Sequence, residues 1–267
     1  FSSSRKPLRF QWSPSLPTRY PDIRDLSIKL FADGADLDAI KRAAQNPLIQ
    51  GFTTNPTLMR GAGVQDYKAF ALKVLKTVPD RPVSFEVFSD LFEEMEQQAL
   101  EISSWGKNVY VKIPVTNTVE AFSGPLILRL SEAGVKLNIT ALMTLEQVEQ
   151  VRDCLAEGTP SIVSVFAGRI ADTGRDPVPI MAKAVRLLES LPETELLWAS
   201  PRELLNIFHA ETVGCHIITA TQDVLDKLST IGKDLGVFSL ETVRMFREDA
   251  VRAGYTIEIP QSSLREI

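Results

Sequence analysis

Residues 108–115 read NVYVKIPV, an apolar stretch that carries one lysine, Lys112, near its centre. Near-continuous apolar runs of this length are typical of parallel strands that are buried on both faces. Seven further runs of this kind occur along the chain, and longer amphipathic stretches separate them. Two of these stretches begin with residues predicted to cap a helix, Asp90 and Thr144. The eight predicted strands are residues 26–33, 49–55, 82–88, 108–115, 136–143, 161–168, 195–200 and 215–220.

A succession of strand-then-helix units predicts parallel strands that are joined by right-handed crossovers. Two architectures fit this order, a closed (β/α)8 barrel and an open doubly wound sheet. The even spacing of roughly 25 to 30 residues per unit favours the barrel, as does the length of 267 residues. No glycine-rich dinucleotide fingerprint follows a strand. We therefore predict an α/β fold of the TIM-barrel type, with an additional C-terminal helix at residues 239–253.

One barrel domain is expected over residues 22–267, because no linker divides this part of the chain. Residues 1–21 contain no acidic residue and are interpreted as an N-terminal arm or as the remnant of a targeting segment or tag. The two cysteines suggest no disulfide framework, which favours a cytoplasmic location. The net charge of −5 argues against a nucleic-acid partner. No apolar run is long enough to predict a membrane span.

Barrel enzymes carry their chemistry at the carboxyl ends of the strands, so polar residues there are informative. Lys112 stands out because lysine is rarely fully buried without a partner. Burial favours the neutral amine, and a neutral amine attacks carbonyl groups to form a Schiff base. The alternative is a structural lysine that pairs with Glu86 or Asp33. Pro114 is expected to disturb the strand pairing just after the lysine.

Other polar residues are predicted to converge on the same end of the barrel. Asp33 and Glu86 are candidates for a general acid/base pair, although Asp33 also fits a helix cap. Neutral groups at Asn55, Asn138 and Thr140 either satisfy buried backbone groups or bind a polyol.

A helix that starts near residues 200–202 would offer free N–H groups, which is an anion site. Arg169 would supply a second cation suited to phosphate. The alternative is a pair of surface arginines with acidic neighbours. The two histidines, His209 and His216, lie away from the strand ends, which argues against a catalytic triad or a histidine-rich metal site. We expect neither metal nor cofactor.

Six motifs together make the chain resemble the transaldolase family, which includes small transaldolases and fructose-6-phosphate aldolases. The resemblance extends from about residue 27 to about residue 253 and rests on FAD (31–33), GFTTNPT (51–57), VKIPVT (111–116), LNIT (137–140), FAGRIAD (166–172) and ASPR (199–202). It implies an enzyme of the pentose phosphate pathway that transfers a dihydroxyacetone unit between sugar phosphates. The alternatives are an aldolase that releases free dihydroxyacetone and a non-catalytic sugar-phosphate-binding barrel.

The resemblance also implies roles for individual residues. Lys112 would form the Schiff base, and Asp33 would exchange a proton with the C4 hydroxyl. Glu86 and Thr140 would hold the water that relays protons during imine formation. The implied substrate-binding residues are Thr54, Asn55, Asn138, Ser164 and Phe166, with Arg169, Ser200 and Arg202 at the phosphate.

Three further features bear on subtype and assembly. Glu86 and Phe166 are transaldolase-like, since aldolases of the family carry Gln and Tyr there. Pro201 replaces an aromatic residue that is usual in the phosphate motif. The C-terminal helix resembles one that packs on a neighbouring subunit in small members, so a homo-oligomer is expected.

Overall fold

Eight parallel strands each pair with their neighbours in sequence, and the first also pairs with the eighth, so that the sheet closes into a barrel. The protein is seen in a computed structural model that describes residues 22–258. The predicted (β/α)8 barrel is confirmed. Its strands are β1 (Lys29–Asp33), β2 (Ile49–Thr53), β3 (Val83–Glu86), β4 (Val109–Pro114), β5 (Leu137–Leu142), β6 (Ser161–Val165), β7 (Thr194–Trp198) and β8 (Ile217–Ala220).

Helices follow every strand. They are α1 (Leu37–Ala44), α2 (Pro56–Gly61), α3 (Tyr67–Thr77), α4 (Phe92–Ser104), α5 (Gly124–Glu132), α6 (Leu145–Arg152), α7 (Ala167–Asp172), α8 (Val178–Leu188), α9 (Leu205–Thr212), α10 (Gln222–Leu225) and α11 (Leu235–Arg252). Short 3-10 helices form at Ile23–Asp25 and Asp226–Thr230. The sequence did not predict α2 and α7, which begin within three residues of the strands β2 and β6.

Side-chain caps explain where several helices begin. Thr144 caps α6, as the sequence predicted, and it does so in a reciprocal box with Gln147. Asp36, rather than Asp33, caps α1 by accepting from the N–H of Ala39. The predicted cap at Asp90 is wrong, because its carboxylate instead accepts from the N–H and hydroxyl of Thr118 in the loop after β4.

Pro114 does not disturb the pairing of β4 with β5, so on this side the expectation is wrong. The register runs without a shift from Val111 opposite Leu137 to Pro114 opposite Thr140. On the other side, β3 ends at Glu86, and its pairing with β4 ends at Lys112, which agrees with the expectation. The missing N–H of the proline is therefore tolerated at the end of that ladder.

The apolar core has two parts. A large cluster fills the space between strands and helices, and a smaller one, built around Phe31, Ile162 and Leu197, lies apart from it. Alternate residues of a barrel strand point inward, so this smaller cluster forms layers within the barrel. Gly51 is required beside Phe31, because an added Cβ would lie 2.4 Å from the ring. The layers form a packed floor beneath the carboxyl ends of the strands.

The compact barrel unit extends over Ile23–Ser229, and the residues from Thr230 onward belong to a second unit. Within that unit α11 confirms the predicted additional helix, although it begins earlier than expected. None of its side chains is buried, and its exposed apolar residues include Phe238, Val243 and Phe246. Among residues 22–258, no helix combines the length and apolar character needed to cross a bilayer. The predicted arm, residues 1–21, lies outside the described residues.

Candidate active site

A cavity of about 440 Å³ opens at the carboxyl ends of the strands. It gathers ten of the twelve residues that the sequence singled out. The ten are Asp33, Asn55, Glu86, Lys112, Asn138, Thr140, Ser164, Phe166, Arg169 and Ser200. The two others, Thr54 and Arg202, do not line it. Side chains that are up to 167 residues apart in sequence thus meet in one pocket because parallel strands end at the same rim.

Lys112 is the buried cation of this pocket, with 6% of the residue exposed. Its Nζ lies 2.9 Å from Oε2 of Glu86, and it donates to the backbone carbonyl of Thr54 at 2.9 Å. The register of β3 with β4 places Glu86 directly opposite Lys112. The pairing that the sequence offered as the structural alternative is therefore present. It is also the arrangement that proton exchange between a carboxylate and an amine requires.

Asp33 ends β1 and lines the same pocket. Burial raises the pKa of its carboxyl group, the nearby charge of Glu86 adds to this rise, and the charge of Lys112 opposes it. The Thr53 hydroxyl donates to Oδ1 of Asp33 at 2.8 Å, which also favours the ionised form. A carboxyl group with a raised pKa, close to an amine, is suited to accept and return a proton.

Thr54 contacts Lys112 through its backbone rather than through its side chain. Its hydroxyl donates to the backbone carbonyl of Ser84 at 2.9 Å, and its own carbonyl oxygen accepts from Lys112. Asn55 caps α2 by accepting from the N–H of Leu58, so the interpretation that it satisfies a backbone group is confirmed. The side chain of Asn55 also lines the cavity.

Asn138, on β5, is fully buried and is held by two neighbours. Its Nδ2 donates to Oγ of Ser84 at 3.0 Å, and its Oδ1 accepts from the Ser164 hydroxyl at 2.7 Å. These bonds fix which way the amide faces. The Asn138 side chain is therefore held in one orientation at the wall of the pocket.

Thr140 differs from its neighbours because its buried Oγ1 has no hydrogen-bond partner among the described residues. The next residue, Ala141, has φ of +67°, and the pairing of β5 with β6 shifts between Ile139 and Leu142. A local irregularity of this kind re-aims side chains next to active sites. A buried hydroxyl without a protein partner is suited to hold a water molecule or a substrate hydroxyl.

Among the described residues, the cation at the rim of the cavity is Arg169, on the short helix α7. Its guanidinium carbon lies 5.6 Å from the ring centroid of Phe166, within the range of a cation–π contact. Ser200 lies at the same rim with a left-handed φ of +57°. Gly168 allows this, because a Cβ there would lie 1.5 Å from the backbone oxygen of Ser200.

Arg202 is held outside the cavity. Its Nε donates to Oδ1 of Asp172 at 2.9 Å, and its Nη2 contacts the second oxygen. This bond keeps the pKa of Asp172 below its usual range. The predicted helix start at Arg202 is wrong, because α9 begins at Leu205 and Oδ1 of Asn206 already accepts from the N–H of Arg202. The interpretation of Arg202 as an arginine with an acidic neighbour is confirmed.

Two threonines of the pocket were missed by the sequence analysis as site residues. Thr53 and Thr219 line the cavity, and their hydroxyl oxygens lie 2.5 Å apart. Thr53 lies in the GFTTNPT motif, in which only Thr54 and Asn55 were given roles. Thr219 gave no signal, because a threonine inside an apolar strand is ordinary β-sheet composition.

Neither histidine reaches the cavity. His209 packs near Trp198, and Nδ1 of His216 accepts from the N–H of Leu196. Within residues 22–258, no three His, Cys, Asp or Glu side chains are grouped so that they could hold a metal ion.

Comparison with known proteins connects this pocket to one family. The model of the family described as transaldolase/fructose-6-phosphate aldolase matches residues 30–259. A protein of Dehalococcoides mccartyi named "Probable transaldolase" is 33% identical over 199 residues, which cover 74% of this chain and 88% of that protein. One of the same name from Thermoanaerobacter is 32% identical over 231 residues, with 86% and 100% covered.

Solved structures share the architecture at low identity. Dihydrodipicolinate synthase from Rhodopseudomonas palustris superposes with a TM-score of 0.54 at 13% identity, covering 88% of this chain and 82% of that one. A 2,3-dimethylmalate lyase superposes with a TM-score of 0.54 at 14% identity, covering 88% and 83%. At such identities the likeness shows the barrel fold alone.

Proposed function

The chain belongs to the transaldolase/fructose-6-phosphate aldolase family, and from this we propose that it is a Schiff-base transaldolase. The donor is a ketose phosphate, sedoheptulose 7-phosphate or fructose 6-phosphate, and the acceptor is an aldose phosphate. The observation that carries this proposal is the buried amine of Lys112, 2.9 Å from Glu86, in a cavity that Asp33 also lines.

Imine formation begins the reaction. Nζ of Lys112 attacks C2 of the ketose, and the carbonyl oxygen leaves as water after two proton transfers. Glu86 is placed to take a proton from Nζ and to return it toward the departing oxygen. The Thr140 hydroxyl, which has no hydrogen-bond partner within residues 22–258, is suited to hold the water that carries this proton.

Carbon–carbon cleavage follows. Asp33 takes the proton of the C4 hydroxyl, the C3–C4 bond breaks, and its electron pair enters the iminium to give an enamine on Lys112. The aldose leaves. The enamine then attacks the carbonyl carbon of the acceptor, and Asp33 returns its proton to the new hydroxyl group. Hydrolysis of the product imine frees Lys112, so the cycle needs neither cofactor nor metal.

Neutral groups and cationic groups bind different parts of the substrate. Asn138, Ser164 and Asn55 bind the hydroxyls of the three-carbon unit. Arg169 and Ser200 line the cavity and bind the phosphate, and Arg202 joins them only by exchanging its bond to Asp172 for one to the ligand.

Phe166 favours transfer over release. A tyrosine hydroxyl there could help protonate the enamine, but a phenylalanine ring has no proton to give. The enamine therefore persists until an acceptor arrives. The second candidate is an aldolase that releases free dihydroxyacetone, and the third is a sugar-phosphate-binding barrel without activity.

The setting is part of the proposal. We place the enzyme in the cytoplasm, in the pentose phosphate pathway, with sugar phosphates as its small-molecule partners. The exposed apolar side chains of α11 support a homo-oligomer in which this helix packs on a second copy. Light scattering that shows a monomer would refute that assembly.

The deciding experiment is borohydride reduction in the presence of fructose 6-phosphate, followed by peptide mass spectrometry. A sugar-derived adduct is expected on the peptide that contains Lys112. Lys112→Met should lose both adduct and turnover. The matched control is Lys136→Met, whose amine lies over Tyr110 and donates to the carbonyl of Lys107, outside the catalytic cavity. No adduct from the folded protein across several ketose phosphates would favour the binding-protein alternative.

Product analysis separates the two enzymatic alternatives. Fructose 6-phosphate is supplied with and without erythrose 4-phosphate, and free dihydroxyacetone is measured. A transaldolase should form sedoheptulose 7-phosphate with the acceptor and little free dihydroxyacetone without it. Equal accumulation of dihydroxyacetone in both reactions would refute the transferase.

A further inference from the structure

Two threonine hydroxyls form a hydrogen-bond chain that ends at the carboxyl group of Asp33. They come from the strands on either side of β1. Thr53 of β2 is in register with Asp33, and Thr219 of β8 is in register with Phe31 of β1. The Thr53 hydroxyl lies 2.8 Å from Oδ1 of Asp33 and 2.5 Å from the hydroxyl oxygen of Thr219. Both threonines are buried and line the cavity.

Counting protons fixes the direction of this chain when Asp33 is ionised. A carboxylate only accepts hydrogen bonds, and a hydroxyl group has one proton to donate. Thr53 therefore gives its proton to Asp33, and the bond between the two threonines must be donated by Thr219. Each donor is polarised by the next, so the second hydroxyl strengthens the bond that the first makes to the carboxylate.

We propose that Thr219 is a positioning residue for proton transfer at Asp33. Acting through Thr53, it holds Oδ1 of the carboxylate and leaves Oδ2 to exchange a proton with the C4 hydroxyl of the substrate. Thr219 itself takes no part in imine formation, which occurs at Lys112. This inference rests on the proposed function, because it assigns the orientation of the base in that reaction.

The charges around Asp33 have opposing effects on its ionisation, so the hydrogen bonds from the threonine hydroxyls influence which form is favoured. Lys112 on β4 favours the ionised carboxylate, whereas Glu86 on β3 and burial oppose it. Arg169 on α7 lines the same cavity. The chain from Thr219 supports the ionised form without adding a further charge. Its loss should make Asp33 harder to ionise and free the carboxylate to rotate.

Thr219→Val removes the hydroxyl while keeping the branched shape. We expect kcat for transfer to fall about tenfold, because a donor one step from the reacting group contributes less than a direct one. The acidic limb of the kcat profile should move to higher pH, since Asp33 acts as the ionised base. KM for fructose 6-phosphate and borohydride trapping on Lys112 should change little. Thr219→Ser should restore both kcat and the pH profile.

The control is Thr194→Val, which removes a hydroxyl at the first residue of β7. Thr194 and Thr219 are each 5% exposed, but Thr194 does not line the catalytic cavity. The inference is overturned if Thr219→Val keeps the kcat and pH profile of this control, or if Thr219→Ser behaves like Thr219→Val. If the inference about Thr219 fails but the borohydride adduct forms equally in wild type and Thr219→Val, the proposed function is still supported. No adduct in wild type would overturn both.

Discussion

The ammonium group of Lys112 and the carboxylate of Glu86 form an ion pair of 2.9 Å between adjacent strands, with little of either side chain exposed. The parallel register sets the pair, because the two residues are directly opposite each other in β3 and β4. Any movement of a proton from Lys112 therefore has an acceptor within hydrogen-bond distance.

Glu86→Gln should slow imine formation. An amide keeps a hydrogen bond to Lys112 but accepts no proton, so the rate of borohydride-trappable adduct should fall at least about tenfold. The measurement is a rapid-quench time course with fructose 6-phosphate. Glu195→Gln is the control, since Glu195 pairs with Lys29 at 2.7 Å near the amino ends of their strands. Equal trapping rates in Glu86→Gln and wild type would contradict a proton-transfer role for Glu86.

Asp33→Asn should raise stability while removing activity. Because burial raises the pKa of Asp33, its favourable contribution to folding is complete only below the unfolded value of about 3.9 and is lost as pH rises through the folded pKa. At pH 7.5 the variant should melt a few degrees higher than wild type, and the gain should vanish near pH 4. Turnover should fall by about 10²-fold or more.

Thermal melting from about pH 4, close to the ordinary pKa of an aspartate, up to about pH 8 measures this effect. Asp38→Asn is the comparison variant, because the pKa shift of Asp38 has the opposite sign. Asp38 is exposed on α1, and its hydrogen bond from Lys41 lowers its pKa, so its replacement gives no gain at neutral pH. A melting temperature for Asp33→Asn at or below that of wild type at pH 7.5 would show that burial does not strain the Asp33 carboxylate.

Arg169 and Arg202 should contribute unequally to phosphate binding. Arg169 lines the cavity, whereas Arg202 is already paired with Asp172. Arg169→Gln should raise KM for fructose 6-phosphate and for erythrose 4-phosphate by about tenfold to a hundredfold, and should leave kcat/KM for an unphosphorylated aldehyde acceptor, measured at saturating donor, nearly unchanged. Arg202→Gln should have a smaller effect, because the free enzyme must first break the ion pair. Steady-state kinetics with paired acceptors measures both, and a larger effect from Arg202 would reverse the assignment.

The strand order and most of the pocket residues were predictable, because the signals that reveal them lie within short stretches of the sequence. Buried parallel strands are apolar throughout, so a polar residue such as Lys112 or Asn138 stands out without knowledge of its neighbours. Eight such strands in succession allow few arrangements. The convergence of these residues then follows from the barrel itself.

What was missed depends on contacts between distant segments. The partner of Thr53 lies 166 residues away, and no periodicity in β8 distinguishes that threonine from any other. Arg202 was expected at a helix start, but the carboxylate of Asp172 and the amide of Asn206 occupy its side chain and its N–H. Asp90 was predicted to cap a helix, but its carboxylate accepts from the hydroxyl of Thr118 instead. Local preference was overridden in each case by a competing hydrogen-bond donor or acceptor.

Gly168→Ala should destabilise the protein, although alanine normally stabilises a helix such as α7 relative to glycine. The reason is the backbone of Ser200, whose carbonyl oxygen would lie 1.5 Å from the new Cβ. Backbone cannot rotate away as a side chain can, so the segment after β7 must shift, at a cost of about 1–3 kcal/mol. The same shift moves Ser200 from the rim, so kcat/KM for phosphorylated acceptors should fall more than for unphosphorylated ones. Gly61→Ala is the matched control and should be neutral or stabilising, because among residues 22–258 nothing outside its own helix backbone and chain neighbours lies within 4 Å of the added Cβ. Urea denaturation and the paired-acceptor kinetics test both effects. If Gly168→Ala unfolds at or above the wild-type urea midpoint, the close approach of α7 to Ser200 is not a constraint on the site.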